Sequence, residues 1–216
     1  MEHIPGPTRE RLLRLMRILE DSGREHLTSA QIEGLTGWPS HTIRKDISFL
    51  GIHDAEGNGE GLGGKAGSQG GYSPAVLAPI IRKALSLNRR RQFCIVGLGR
   101  LGSAYLGMPP EAGFKSPGVF ELAAGFDISV NRVEILRSPV PLYPAYKMGE
   151  VIGRFGIEIA LLCVPPEAAQ GTAEKLAAAG IRGILNFAPL ALMLPPEIAV
   201  RNVYLEDELC ALAIHM

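Results

Sequence analysis

The stretch Phe93-Cys-Ile-Val-Gly97-Leu-Gly99-Arg-Leu-Gly102-Ser-Ala104 constrains this chain more than any other. A short apolar run suited to a buried strand meets glycines spaced G-x-G-x-x-G, and helix-compatible residues follow. The first glycine permits a tight turn and the second lets backbone approach a pyrophosphate. The third lets a helix pack closely on the strand, with its amide-rich N-terminus facing the anion. Gly97, Leu98, Gly99, Arg100, Leu101 and Gly102 are therefore candidate cofactor-binding residues. On its own this glycine spacing is a weak indicator; its place directly after a strand gives it weight.

Downstream, Val119 to Ile128 reads as a second buried strand carrying Asp127 near its end. An acid at that place accepts hydrogen bonds from the adenosine ribose and repels the extra phosphate of NADP, which favours NAD. Its offset from the glycines exceeds the usual value of about 20 residues, and the Gly- and Pro-rich connection from Tyr105 to Ser116 accounts for the excess. The plainer alternative is that Asp127 caps the turn after its strand. Pro141 to Tyr143 is a candidate short strand and Tyr146 to Arg154 a candidate helix. Ile157 to Val164 is the strongest buried-strand signal, and Pro165-Pro166 opens a helix running to Ala179. Strands follow at Gly183–Phe187 and Val200–Leu205, then a helix from Glu206 to Ile214. Strands alternating with helices imply a parallel sheet covered on both faces. Ligands of such sheets sit at the carboxyl ends of the strands, which adds Val164, Pro165, Asn186 and Pro189 to the candidates.

The first part of the chain reads differently. Thr8 to Asp21 forms a helix with Leu12, Leu15, Met16 and Leu19 inward and Thr8 as its N-cap. Arginines 9, 11, 14 and 17 cover the remainder, as a solvated face or as phosphate contacts. A second helix starts at Thr28-Ser29, and Gly37-Trp38 interrupts it. Pro39-Ser40 then opens a third, with Ile43, Ile47 and Leu50 on one face. Two short helices around a glycine turn, the second rich in small polar and basic residues, follow the helix-turn-helix plan. Ser40, His41, Thr42, Arg44, Lys45 and Ser48 are the candidate DNA contacts; a small helical domain with a charged face is the plainer alternative. Gly51 to Tyr72 is glycine-rich, either a loop or a wing that would use Lys65. A further helix starts at Ser73-Pro74, and Arg89-Arg90-Arg91 fits either a solubility flank or a phosphate contact.

Totals narrow the setting. The chain has 216 residues, 46% hydrophobic, with no run of the roughly 20 apolar residues a membrane helix needs. The formal net charge is zero, yet residues 1–91 carry 13 Lys+Arg against 10 Asp+Glu and the remainder 9 against 12. Cys94, Cys163 and Cys210 suit reduced thiols better than a disulfide framework. With no secretion signal at the N-terminus, a cytoplasmic protein is expected.

The order helix-turn-helix, glycine-rich wing, connecting helix and NAD-type Rossmann domain resembles the Rex family of redox-sensing transcriptional repressors. Ile43-Arg44-Lys45-Asp46-Ile47-Ser48-Phe49 is similar to the family's V-R-K-D-L-S-Y segment. Ile95 to Ala104 is similar to its fingerprint, Phe126-Asp127 to its ribose-binding acid, and Ile157 to Ala169 and Gly183 to Pro189 to its later strands. The resemblance implies an α/β chain: a winged-helix DNA-binding domain with connecting helix over 1–88, a Rossmann domain over 89–203 and a dimerisation helix over 204–216. It implies a homodimeric repressor that binds palindromic double-stranded operator DNA, senses NADH/NAD+ and is released by NADH. This chain departs from the family in three places. Gln69-Gly70 precedes Gly71-Tyr72 where family members carry an arginine, Met108 and Tyr204 stand where a polar pair is usual, and the C-terminal helix is short. A regulator answering to another adenine nucleotide or a coenzyme A-type ligand is the alternative. An NAD-dependent dehydrogenase is disfavoured: four of the five histidines lie outside the Rossmann part, and Glu158 and Glu167 read as solvent-facing and helix-starting. No catalytic residue and no metal site are expected.

Overall fold

The computed structural model describes residues 4–51, 71–108, 119–214 and 216. Lys65, most of the glycine-rich segment and most of the Tyr105–Ser116 connection lie outside them. The chain divides into two units, Met1–Asn88 and Arg89–Met216.

The N-terminal unit contains α1 (Gly6–Asp21), α2 (Ser29–Thr36), α3 (Ser40–Ser48) and α4 (Pro74–Ala84). Its core is drawn from each helix: Leu12, Leu15, Met16 and Leu19, then Ile32, Ile43, Ile47, Leu77 and Ile81. Thr28 and Gln31 form a reciprocal capping box that starts α2, and Gly37 ends it in the left-handed conformation. Leu27 and Tyr72 pair as an isolated antiparallel bridge, which pins the far end of the glycine-rich segment to the turn before α2.

Two expectations for α1 need correction. The helix begins at Gly6 with Pro5 as N-cap, because Pro7 lacks only an amide that a first turn leaves unused. Thr8 is thus inside the helix and buried, and its hydroxyl donates to Asp46 at 3.1 Å. Nor is Arg11 part of a free basic face. Its guanidinium donates to both carboxylate oxygens of Asp46, at 2.6 and 2.8 Å, and this hydrogen bonding raises the Arg11 pKa. Asp46 lies on the inward side of α3 beside Ile43 and Ile47, so the pair bolts α3 to α1.

The C-terminal unit is a parallel sheet in the order β3-β2-β1-β4-β5-β6. The strands are β1 (Arg91–Val96), β2 (Phe120–Asp127), β3 (Leu142–Pro144), β4 (Ile157–Leu162), β5 (Gly183–Asn186) and β6 (Ala199–Asn202). Between them run α5 (Arg100–Leu106), α6 (Val130–Ile135), α7 (Met148–Phe155) and α8 (Pro166–Ala178), with α9 (Leu205–Ile214) last. Alternate residues of β1 serve opposite faces. Cys94 and Val96 pack with α7 and α8, while Phe93 and Ile95 pack with Leu98 and Leu106 on the α5 side. Double coverage explains why its buried part, residues 93–96, is apolar without interruption. Burial pushes the Cys94 thiol up to about 12.

The basic triplet has a structural use. Arg89 and Arg91 donate to Glu158 on β4 at 2.6 and 3.1 Å, so Glu158 is half-buried and paired rather than solvent-facing. Among the described residues, no helix is long and apolar enough to cross a membrane.

The bolt between α1 and α3 should show an asymmetry. Asp46 has a side chain only 5% exposed, against 31% for Arg11. Arg11→Ala strands a buried carboxylate and should cost about 3 kcal/mol. Asp46→Ala leaves a guanidinium that can reach water and should cost about 1 to 2 kcal/mol. Urea unfolding followed by the fluorescence of Trp38, the chain's one tryptophan, measures both.

Candidate functional site

The strand order reverses beside β1, whose neighbours β2 and β4 lead to opposite edges of the sheet. Chain leaving the carboxyl ends of two adjacent strands in opposite directions opens a crevice at that point. A cleft of about 1040 Å³ lies there, lined among others by Gly97, Gly99, Asp127, Val164 and Pro165.

Each fingerprint glycine has its own reason. Gly97 has φ +90°, and a Cβ on it would lie 2.6 Å from the carbonyl oxygen of Cys163. On Gly102 a Cβ would lie 1.9 Å from the carbonyl oxygen of Gly97, so α5 packs on the loop at a distance only glycine allows. Gly99 is the opposite case: a Cβ there would meet nothing within 4 Å. It faces the cleft, and the missing side chain leaves room for a ligand to approach backbone. Arg100 and Leu101, on the first turn of α5, are exposed.

Asp127 is 3% exposed and closes the loop from the β2 side. It accepts from the Leu98 amide at 2.7 Å, the Ser129 amide at 2.8 Å and Arg132 Nη1 at 3.0 and 3.1 Å. Burial pushes its pKa up, but these donors outweigh burial and hold it below the usual carboxylate value. Asp127 is therefore ionised at neutral pH. It caps the turn after β2, as the plainer alternative expected, and it also lines the cleft.

The cleft also gathers residues that the sequence reading did not single out. Ile128 and Tyr146 are 89% and 79% exposed and flank the Asp127 end. Arg132 adds a half-exposed guanidinium, and Thr172 and Lys175 enter from α8. Of these only Ile128 carries a sequence signal, as an apolar residue directly after a strand end. Cys163 lines the wall with its thiol pushed up to about 12 by burial.

Asn186 and Pro189 lie at the end of β5 and are not among the lining residues. The Asn186 side chain is fully buried and donates to Ala188 O, Leu190 O and Asn202 Oδ1 while accepting from the Ala188 amide. It braces the loop between β5 and β6. Gln170 on α8 exchanges hydrogen bonds with the backbone of Met193 in the same loop, at 2.8 and 3.0 Å. Met108 is 40% exposed and Tyr204 half-buried before α9, and neither lines the cleft.

In the N-terminal unit, α3 presents His41, Arg44, Lys45 and Ser48 to solvent while Ile43, Asp46 and Ile47 hold its other side. Ser40 and Thr42 are half-buried at its start. The Ser48 hydroxyl donates to the Lys45 carbonyl at 2.7 Å, and Ser40 is engaged by Glu33 of α2. An exposed helix with a basic, polar outer face and a clamped inner face can lie in a major groove.

A family model described as a CoA binding domain matches residues 88–190. The chain is similar to the redox-sensing transcriptional repressor Rex of Thermus thermophilus, 40% identical over 204 residues that cover 93% of this chain and 88% of the relative. Among solved structures it is similar to RSP, a Rex-family repressor, in complex with β-NAD+ and operator DNA. That match has 27% identity, a TM-score of 0.82, and covers 100% of this chain and 93% of RSP. RSP in complex with β-NADH matches with 27% identity and a TM-score of 0.80, covering 100% and 95%. Identity at this level through both units, rather than over the nucleotide fold alone, decides the assignment: the chain belongs to the Rex family of redox-sensing transcriptional repressors.

Proposed function

We propose that this chain is a DNA-binding repressor that reads the NADH/NAD+ ratio, held on a palindromic operator when NADH is scarce and released when NADH binds. One observation carries the reading. The same chain pairs a cleft at the strand-order reversal, floored by Gly99 and closed by ionised Asp127, with an exposed basic recognition helix. RSP, its structural relative, has been solved both with β-NAD+ and operator DNA and with β-NADH.

In this reading, α5 and the fingerprint amides receive the pyrophosphate, and Asp127 meets the adenosine ribose after exchanging part of its bond to Arg132. Val164 and Pro165 border the path toward the other end of the dinucleotide. His41, Thr42, Arg44, Lys45 and Ser48 contact DNA, Arg44 and Lys45 supplying the charge. The DNA-binding part is the winged-helix unit of residues 1–88, and residues 89–203 bind the nucleotide.

The α9 helix exposes Leu205, Leu209, Leu212 and Ile214 by 57% or more. A second copy of the chain covers this face in the homodimer, which places two recognition helices on two half-sites. Release requires that NADH bind one dimer state better than the other, since equal binding shifts nothing. A 100-fold preference is worth about 2.7 kcal/mol per site.

The cleft is read as a sensor rather than an active site. Membership of the family of redox-sensing repressors supports this reading, and burial holds the Cys163 thiol in the cleft wall protonated. A coenzyme A-type ligand is the second reading, favoured by the CoA binding domain match and by Arg132 beside the ribose position.

Titrating the protein on a promoter fragment of its own operon separates these readings. NADH should release the DNA and NAD+ should not; release by coenzyme A alone would favour the second reading. Arg44→Ala with Lys45→Ala should lower operator affinity at least 100-fold and leave NADH binding within twofold. Asp127→Ala should weaken NADH binding at least tenfold, by calorimetry, and give a repressor that stays on DNA in NADH.

A further inference from the structure

The first turn of α3 carries donors of the kind a helix-turn-helix directs at a DNA phosphate, the Ser40 amide and hydroxyl. In this chain both are taken by a neighbouring surface carboxylate. They donate to the same oxygen of Glu33 on α2, the amide at 3.1 Å. Pro39, the N-cap of α3, makes no side-chain cap bond, so Glu33 supplies the cap from the neighbouring helix. Glu33 is exposed. Its pKa is lowered first by the Ser40 hydrogen bonds and then by the nearby His41 and Arg44, which are exposed like Glu33 itself.

We infer that Glu33 sets the DNA affinity of the recognition helix, by occupying the Ser40 donors and by offsetting positive charge on the His41–Arg44–Lys45 face. The inference rests on the DNA-binding reading of α3 given above. A carboxylate next to the phosphate path repels it, and the donors it occupies are withheld from phosphate until Glu33 moves. The recognition helix is thus held below the affinity its basic residues would otherwise give. A repressor that must let go benefits from such a restraint, because a smaller ligand-driven change then suffices for release.

The test compares wild type with Glu33→Gln, Glu33→Ala, Ser40→Ala and the Glu33→Ala/Ser40→Ala double variant. Each is titrated with a promoter fragment of its own operon between 50 and 200 mM salt, with thermal unfolding recorded alongside. Glu33→Gln keeps an acceptor for Ser40 and loses the charge, and should bind about threefold tighter. Glu33→Ala should bind about tenfold tighter, and because both variants remove one negative charge from the DNA-facing surface, the log–log salt slope should steepen in both, by at most about 0.9. Adding Ser40→Ala should remove most of the gain that Glu33→Ala shows over Glu33→Gln, with the Ser40 amide keeping the rest, whereas Ser40→Ala alone should change affinity less than twofold. A cap of purely structural importance would instead weaken binding and lower the unfolding temperature together. Equal or weaker binding by both Glu33 variants, with an unchanged slope, overturns the inference and leaves the repressor reading intact. Absence of DNA binding by every protein at 50 mM salt overturns both.

Discussion

The nucleotide end of this protein depends on where one carboxylate sits. Asp127 receives the amide of Leu98, inside the glycine loop, and the amide of Ser129, just past the end of its own strand. It therefore ties β1 and β2 together beyond the last residue of their ladder, where sheet hydrogen bonding has stopped. Burial opposes the charge, and the amides with Arg132 overcome that opposition. These bonds hold the loop from within the chain, which limits the ordering that ligand binding would otherwise cost.

Glycine spacing is the second constraint, and it acts through contact distances. Gly102 brings α5 against the Gly97 carbonyl, and Gly97 brings the loop against the Cys163 carbonyl at the end of β4. These approaches set the floor of the cleft along both strands that border it. Gly99 alone faces open space. The fingerprint thus combines two positions where a methyl group would collide with backbone and one where it would project into the open cleft.

Much of this was legible in the sequence because it is local. An uninterrupted apolar run reports a strand buried on two faces, and the residue following it reports a strand end. The helix-turn-helix was legible for the same reason, from the capping Thr28, the Gly37 stop and the Ile43–Ile47 stripe. Interactions between distant residues were not. Arg11 and Asp46 are 35 positions apart, and an Arg-Lys-Asp run looks like surface until the register is counted. Asp46 falls three residues after Ile43, on the inward stripe, and that placement was the available signal. Thr8 was misread for a related reason: capping propensity identifies a residue that suits a helix start, but Pro5 and Pro7 had already fixed the start upstream. Arg89 and Arg91 found Glu158 across 69 and 67 positions, again outside the reach of any periodicity.

The bond between Arg11 and Asp46 has a mechanical consequence. Because α3 is bolted to α1 from its inner side, the recognition helix cannot tilt or melt independently without exposing a buried carboxylate to an apolar neighbourhood. It behaves as a rigid tooth on a rigid gear. A signal from bound nucleotide then has no inexpensive route through the shape of the tooth. Under the homodimeric repressor function proposed above, the signal would act on the pitch between two such teeth, and a duplex with fixed helical repeat is an exacting gauge of pitch.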